Sequence, residues 1–290
     1  MNDKLSLLEE LCFATVRIEA KSISGTQTGT GFIFNFHIES HVLPILVTNK
    51  HVIAGSSTVS FNLTQAITDP NGWKPDLGKH HNIVTETKNW IEHPSADVDL
   101  CFTYWVPAFK QGLPTGVEPF YKCFEKSQII LDAAGKAELD AVEDIIMMGY
   151  PNGLWDSINN LPIVRKGTTA THPAIAFKGK KEFMIDAACY PGSSGSPVVL
   201  HYKGARGTKN GGTAMGEVLI FLGILYSGPQ YNAQGDIVFL TIPSGKLGTS
   251  TNLMLNLGNV IFAEELMGFE DIIRKQYEME MAAQKNAQNT

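Results

Sequence analysis

Apolar residues in this chain come in short runs separated by glycine, proline and asparagine, and that punctuation limits the fold more than any other feature. The longest nearly unbroken run, Val218 to Tyr226, is about half of what a membrane-spanning helix needs. Gly31-Phe-Ile-Phe-Asn-Phe, Leu43-Pro-Ile-Leu-Val-Thr, Val59-Ser-Phe-Asn-Leu and Asp99-Leu-Cys-Phe-Thr-Tyr-Trp read as strands, and Asp69-Pro-Asn-Gly is turn chemistry. A second series holds Ile145-Ile-Met-Met, Phe183-Met-Ile-Asp, Val198-Val-Leu-His-Tyr, Val218 to Tyr226 and Ile237-Val-Phe-Leu-Thr-Ile-Pro. The stretch from Gly204 to Gly212 reads as a flexible hairpin loop within it. Short strands at short spacing, with few helices, indicate an all-β sandwich or barrel.

The expected layout is one domain over residues 1–290 with two strand-rich halves. Residues 13–105 form the first half, 106–143 a connector of mixed polarity and 144–257 the second half. Lys4 to Ala20 opens with helix-like spacing and ends in the alternating Thr15-Val-Arg-Ile-Glu. After Gly258, Val260, Ile261, Leu266, Phe269, Ile272, Ile273 and Tyr277 recur at helical spacing, so 258–290 reads as an amphipathic C-terminal helix and a fraying tail.

Composition excludes several classes of function. A net charge of −6 without a basic excess argues against non-specific binding to nucleic acid or an anionic membrane. Cys12, Cys101, Cys123 and Cys189 are spread singly, and the N-terminus lacks a basic segment followed by an apolar stretch, so a cytoplasmic protein with reduced thiols is expected. His80, His81 and His93 lack metal-ligand spacing and read as exposed loop residues. No metal or other cofactor is called for.

Three segments carry chemistry. In Leu46-Val-Thr-Asn-Lys-His51-Val-Ile a buried strand runs into a histidine, and a strand end is a rigid mount for a general base; a plain surface histidine has the same pattern. In His93-Pro-Ser-Ala-Asp97-Val-Asp99-Leu-Cys-Phe an acid enters an apolar strand, which is costly unless it is paired. An imidazole Nδ1–H would be such a pairing. Asp97 competes from the same strand face, and Asp99 is preferred because it abuts the apolar run. In Asp186-Ala-Ala-Cys-Tyr-Pro-Gly192-Ser-Ser194-Gly-Ser-Pro-Val-Val, glycines flanking a serine let amide N–H groups converge as an oxyanion site requires. A polar turn between strands is the bland alternative.

Taken together, Thr28-Gly-Thr-Gly-Phe-Ile, Val47-Thr-Asn-Lys-His51-Val, Asp97-Val-Asp99-Leu, Gly149-Tyr-Pro-Asn-Gly and the serine segment resemble the trypsin-like peptidases, closest to the bacterial HtrA-like (Deg-type) branch, over about residues 13 to 265. The resemblance implies two antiparallel six-stranded β-barrels of chymotrypsin-like kind with a C-terminal α-helix. It puts the histidine base on His51, the orienting aspartate on Asp99 and the nucleophile on Ser194. The oxyanion loop falls on Gly192, Ser193 and Ser194. The base of the P1 pocket falls on Ala188 beside Cys189, with the opposite wall near Tyr226, Ser227 and Gly228. No acid is present there, so Arg and Lys are disfavoured and a small or medium apolar P1 residue is expected.

The α/β-hydrolase order would need the catalytic histidine after the serine, with the acid before it. Only His201 follows Ser194, and no acid stands between them. Two positions depart from the family pattern. Ser193 stands where trypsin has an aspartate that pairs with a newly cut N-terminus, which leaves regulation to loops or partners. Ser196 replaces a common glycine. About 30 residues follow the expected barrels, too few for a PDZ domain, so limited cleavage is expected rather than processive quality control. The expected activity is that of a serine endopeptidase acting on protein or peptide substrates through an acyl-enzyme. The alternative is a latent or catalytically silent binding module of protease fold that needs an activating protein partner.

Overall fold

The computed structural model describes residues 5–288 apart from 24, 70–71, 111, 210, 229 and 238–246. The first half contains β1 (Thr15–Ser22), β2 (Gly25–Ile38), β3 (His41–Thr48), β4 (Thr58–Asp69), β5 (Gly72–Glu86), β6 (Ile91–Glu92), β7 (Cys101–Tyr104) and β8 (Phe124–Glu125). The second contains β9 (Asp144–Gly149), β10 (Ile163–Thr169), β11 (Glu182–Asp186), β12 (Pro197–Gly207), β13 (Thr213–Ser227), β14 (Gln230–Ile237), β15 (Leu247–Met254) and β16 (Leu257–Phe262). Among the described residues there are five α-helices: α1 (Leu7–Cys12), α2 (Lys50–Ile53), α3 (Trp105–Lys110), α4 (Ala133–Ala137) and α5 (Glu270–Gln288).

The halves differ in closure. Strands β10-β11-β16-β13-β12-β9 pair as a closed ring of six, whereas β5-β4-β1-β2-β3-β7-β6 is an open antiparallel path of seven among the described residues. The expectation of two six-stranded barrels therefore needs correcting for the first half. The extra length comes from β5, which pairs with β4 from Thr58↔Glu86 to Asp69↔Gly72 although little of it is buried. An exposed edge ribbon is held by backbone hydrogen bonds, which leave no apolar pattern to read.

Strands that read as unbroken apolar runs are buried on both faces. Along β2, Ile33 packs inside the first half while Phe32, Phe34 and Phe36 face the core shared with the second half and the C-terminal helix. Along β9, Ile145 and Met147 fill the ring while Ile146 and Met148 join the shared core. Alternation with a period of two sends neighbours to opposite cores. The seam between the halves is a trio of rings, Phe32, Phe124 and Phe221, with centroids 4.6–5.7 Å apart.

Several boundaries move. The expected connector supplies β8, which pairs in parallel with β2. The second half extends past 257 to Phe262, because β16 pairs with both β11 and β13 and closes the ring. Val260 and Ile261 are thus strand residues, and α5 starts only at Glu270. The helix does dock its apolar face: Ile273 and Tyr277 enter the shared core beside Phe269, which immediately precedes the helix and meets Phe102 at 4.8 Å. Its last turns run to Gln288 rather than fraying from Gln284. Strand β7 is shorter than the run from Asp99 suggested, since Trp105 begins α3. Gly204 to Gly207 is paired strand, not loop. The tip of the Asp69–Gly72 turn and the run Val238 to Pro243 lie outside the described residues.

Candidate active site

His51 is held by a carboxylate at two points. Strand β3 ends at Thr48, Asn49 caps the single turn of α2, and His51 lies in that turn rather than at a strand end. The first N–H groups of a helix have no partner within it. The His51 N–H donates instead to Asp99 Oδ1 at 3.1 Å, while Asp99 Oδ2 lies 2.5 Å from His51 Nδ1. A carboxylate accepts, so a neutral imidazole in this contact carries its proton on Nδ1 and keeps the Nε2 lone pair, the form a general base needs. Asn49 is fully buried and donates its side-chain amide to the Asp99 carbonyl at 2.7 Å, tying the aspartate's backbone to the same turn. Asp99 makes both bonds, while Asp97 is exposed two residues away.

The serine is held by a loop whose carbonyls are all engaged. Pro191 C=O accepts from the Asn152 N–H at 2.5 Å, and Ser193 C=O from the Ser196 N–H at 3.0 Å. The carbonyls of Gly192 and Ser194 both go to Thr30. In a trans peptide the N–H points opposite to its carbonyl. With the Pro191 and Ser193 carbonyls turned inward, the N–H groups of Gly192 and Ser194 face the other way, and neither has a protein partner among the described residues. Ser193 does not belong to this set: its N–H donates to Tyr190 C=O at 3.0 Å, and its hydroxyl is buried without a partner among the described residues. Gly192 and Gly195 have φ of +87° and +90°, where a side chain is strained. A Cβ on Gly192 would stand 2.6 Å from the Tyr150 carbonyl oxygen.

Ser194 Oγ donates to the Tyr226 C=O at 3.2 Å. No hydrogen bond joins it to His51 among the described residues, so the structure completes the histidine–aspartate pair and leaves the serine turned aside. Tyr226 connects the two parts. Its side chain lines a cavity of about 810 Å³ together with Asp99, and its hydroxyl donates to Glu182. Burial first, and then the Glu182 contact, push that phenol up to about 12.

A cavity of about 260 Å³ opens beside Ser194. Cys189, Ser227 and Gly228 line it as expected, joined by Tyr190, Pro191 and Leu225, and none of these is charged. Two expectations need correcting. Ala188 is not in the lining, and its carbonyl accepts from Arg165, whose guanidinium sits 4.9 Å from the Tyr190 ring centroid. Tyr226 meets Ser194 through its carbonyl and belongs to the lining of the larger cavity rather than of this one. Burial pushes the Cys189 thiol up to about 11, so it is a neutral wall of the pocket.

The histidines set aside as exposed loop residues are placed differently. His80 and His81 lie on β5, bonded to the Ser157 carbonyl and to Gln65 at 3.1 Å each. His93 is buried, 3.0 Å from the Glu265 carbonyl and against the Phe269 ring. Among the described residues no cluster suited to a metal ion is found. The sequence does not single out Thr30: the motif Thr28-Gly-Thr-Gly is legible, but nothing local shows that the Thr30 hydroxyl reaches a loop 162 residues away.

Residues 29–205, more than half of the chain, match the family described as the trypsin-like peptidase domain. No curated protein matches the sequence. Similar solved structures include the serine endoprotease from Yersinia pestis, at 14% identity and a TM-score of 0.45, covering 92% of this chain and 65% of that one. This chain therefore spans less than two thirds of the Yersinia protein. The catalytically active tobacco etch virus protease complexed with product is similar at 13% identity and a TM-score of 0.42, covering 79% of this chain and 73% of that one.

Proposed function

The chain belongs to the trypsin-like peptidase family, and from that premise we propose that it is a serine endopeptidase with Ser194 as nucleophile. The observation that carries this reading is the two-point hold of Asp99 on His51, which leaves Nε2 free to take a proton. Rotation of Ser194 about its Cα–Cβ bond releases the Tyr226 carbonyl and brings Oγ to that nitrogen. Bonds of this kind are often long or unformed before substrate arrives. Oγ then attacks the peptide carbonyl, its proton passes to Nε2, and Asp99 stabilises the imidazolium. The Gly192 and Ser194 N–H groups receive the oxyanion. Collapse of the tetrahedral intermediate passes the proton to the leaving amine, and water hydrolyses the acyl-enzyme by the same steps.

The uncharged cavity beside Ser194, with glycine and cysteine in its walls, supports a small or medium apolar P1 residue in a protein or peptide substrate. A cleavage profile dominated by Arg or Lys at P1 would sink that part. The cytoplasmic site of action also belongs to this proposal, supported by four cysteines that stand free. The kinship with the HtrA-like branch is proposed on the sequence motifs alone.

A second reading has one observation in its favour. The Ser194 hydroxyl rests on a backbone carbonyl rather than on the histidine, as it would in a latent enzyme awaiting an activating partner. One experiment separates the two: label the purified protein with a fluorophosphonate probe and read intact mass, beside Ser194→Ala. Stoichiometric addition that is lost in the variant establishes an activated serine. A folded protein that refuses the probe overturns the constitutive reading and leaves the latent one.

A further inference from the structure

The loop from Pro191 to Ser194 contains no charged side chain, and the Ser193 hydroxyl has no partner among the described residues to anchor it. What anchors the loop lies on the opposite half of the molecule. Thr30, fully buried on β2, donates its N–H to the Ser194 carbonyl at 2.8 Å and its hydroxyl to the Gly192 carbonyl at 3.0 Å. The same hydroxyl oxygen accepts the Tyr150 N–H at 3.1 Å and lies 3.3 Å from Ser196 Oγ. A threonine hydroxyl has one proton and two acceptor sites. Its proton is committed to Gly192 and one acceptor site to Tyr150, so the Ser196 hydroxyl is the donor in the remaining bond. The Thr30 carbonyl in turn accepts from Thr48 Oγ1 at 2.7 Å, at the end of the strand that leads into the His51 turn.

We propose that Thr30, with the Ser196 hydroxyl behind it, is a positioning residue that presets the oxyanion-binding amides of Gly192 and Ser194 without any charged anchor. Gly192 has no Cβ to resist rotation, so its peptides stay in place only while their carbonyls are held. Across the seam between the halves the Thr30 hydroxyl holds the Gly192 carbonyl, and so fixes the peptide that follows Gly192, while the Pro191 carbonyl, in the peptide that carries the Gly192 N–H, is held by Asn152. Ser196, at a position where glycine is common in the resembling family, completes the hydrogen-bond chain that orients the Thr30 hydroxyl. The catalytic consequence rests on the serine-peptidase reading; the anchoring of the loop does not.

The test uses three variants of the full chain: Thr30→Val, which is close in shape and lacks the hydroxyl, Thr30→Ser, which keeps it, and Ser196→Ala. Two quantities are read. Amide hydrogen exchange of the peptide spanning residues 188–196 reports the anchor, and the rate of fluorophosphonate addition to Ser194 reports the oxyanion site. Thr30→Val is expected to speed local exchange by about tenfold while other segments stay as they were. It should slow phosphonylation by about ten- to a hundredfold. Thr30→Ser should return both values towards native, and Ser196→Ala should have a smaller effect in the same direction. Unchanged exchange in Thr30→Val overturns the proposal, as does faster exchange with an unaltered phosphonylation rate. So does a failure of Thr30→Ser to rescue, which would assign the effect to the lost methyl contact. If the native protein does not react with the probe at all, the constitutive peptidase reading fails, and the exchange arm still decides the anchor.

Discussion

The two halves of this protein build their shares of the site by different physical means. The first half places the proposed base with a charge: the two oxygens of one carboxylate take the backbone N–H and the imidazole Nδ1 of His51. The second half places the proposed nucleophile with neutral groups, engaging every carbonyl from Pro191 to Ser194 and using glycines at positive φ to make the turn. A charged grip tolerates backbone adjustment and depends on the ionisation of one side chain. A backbone grip is indifferent to charge and has no room for a Cβ. The base side should therefore fail chemically while the fold survives, and the nucleophile side should fail sterically.

The sharpest test of the charged side is Asp99→Asn. The neutral amide cannot hold the Nδ1–H tautomer, and turnover should fall about ten-thousand-fold with little change in melting temperature. Asp97→Asn is the matched control, expected to stay within about twofold because a surface acid with no bond to the site contributes little. Equal losses in both variants would mean that the grip is shared, and the contrast would break.

On the steric side, Gly195→Ala puts a methyl onto the Thr30 carbonyl oxygen at a φ of +90°. A cost of about 3 kcal/mol or more is expected, read as a lower urea midpoint together with loss of labelling. A folded and fully reactive variant would show that the loop can move where the hydrogen bonds say it cannot.

A smaller effect should come from Tyr226→Phe, which leaves the Tyr226 carbonyl in place and removes the hydroxyl that donates to the buried Glu182. About 1–2 kcal/mol of stability should be lost, since one buried partner is left without its bond. Phosphonylation of Ser194 should hold steady, because the serine meets the backbone of Tyr226 and not its ring.

The contrast should disappear in alkali, where both halves respond alike. Burial raises Cys12 and Cys189 from an ordinary thiol value of 9.0 to about 11 and Cys123 to about 12. The folded chain keeps these protons to a higher pH than the unfolded chain does, so stability falls as pH rises from about 9 to 12 and is unaffected below that window. Urea midpoints measured across pH 7 to 11 check this, and a flat profile would refute the burial of the thiols.

Much of the arrangement was legible before any coordinates. The runs that became β2, β3, β9, β12 and β13 announced themselves because strands buried on two faces are apolar at nearly every position. Strands β5 and β10 did not, since their exposed residues carry no alternation. The helical spacing of Val260 and Ile261 misled, because two adjacent apolar residues fit either period; the ring needed a sixth strand and took them.

By itself, the sequence determined the order of the three chemical segments, the position of the serine between two glycines and the lack of an acid at the expected base of the pocket. These are local properties, written in residues that are neighbours along the chain. The tertiary structure alone decided that Asp99 rather than Asp97 meets His51, that His93 is buried, that the Ser194 hydroxyl rests on Tyr226 and that Thr30 holds the Gly192 carbonyl. Each of these depends on a distance between atoms far apart in sequence. Hydrogen bonds act over about 3 Å, a length that only the packing of the two halves against each other can set.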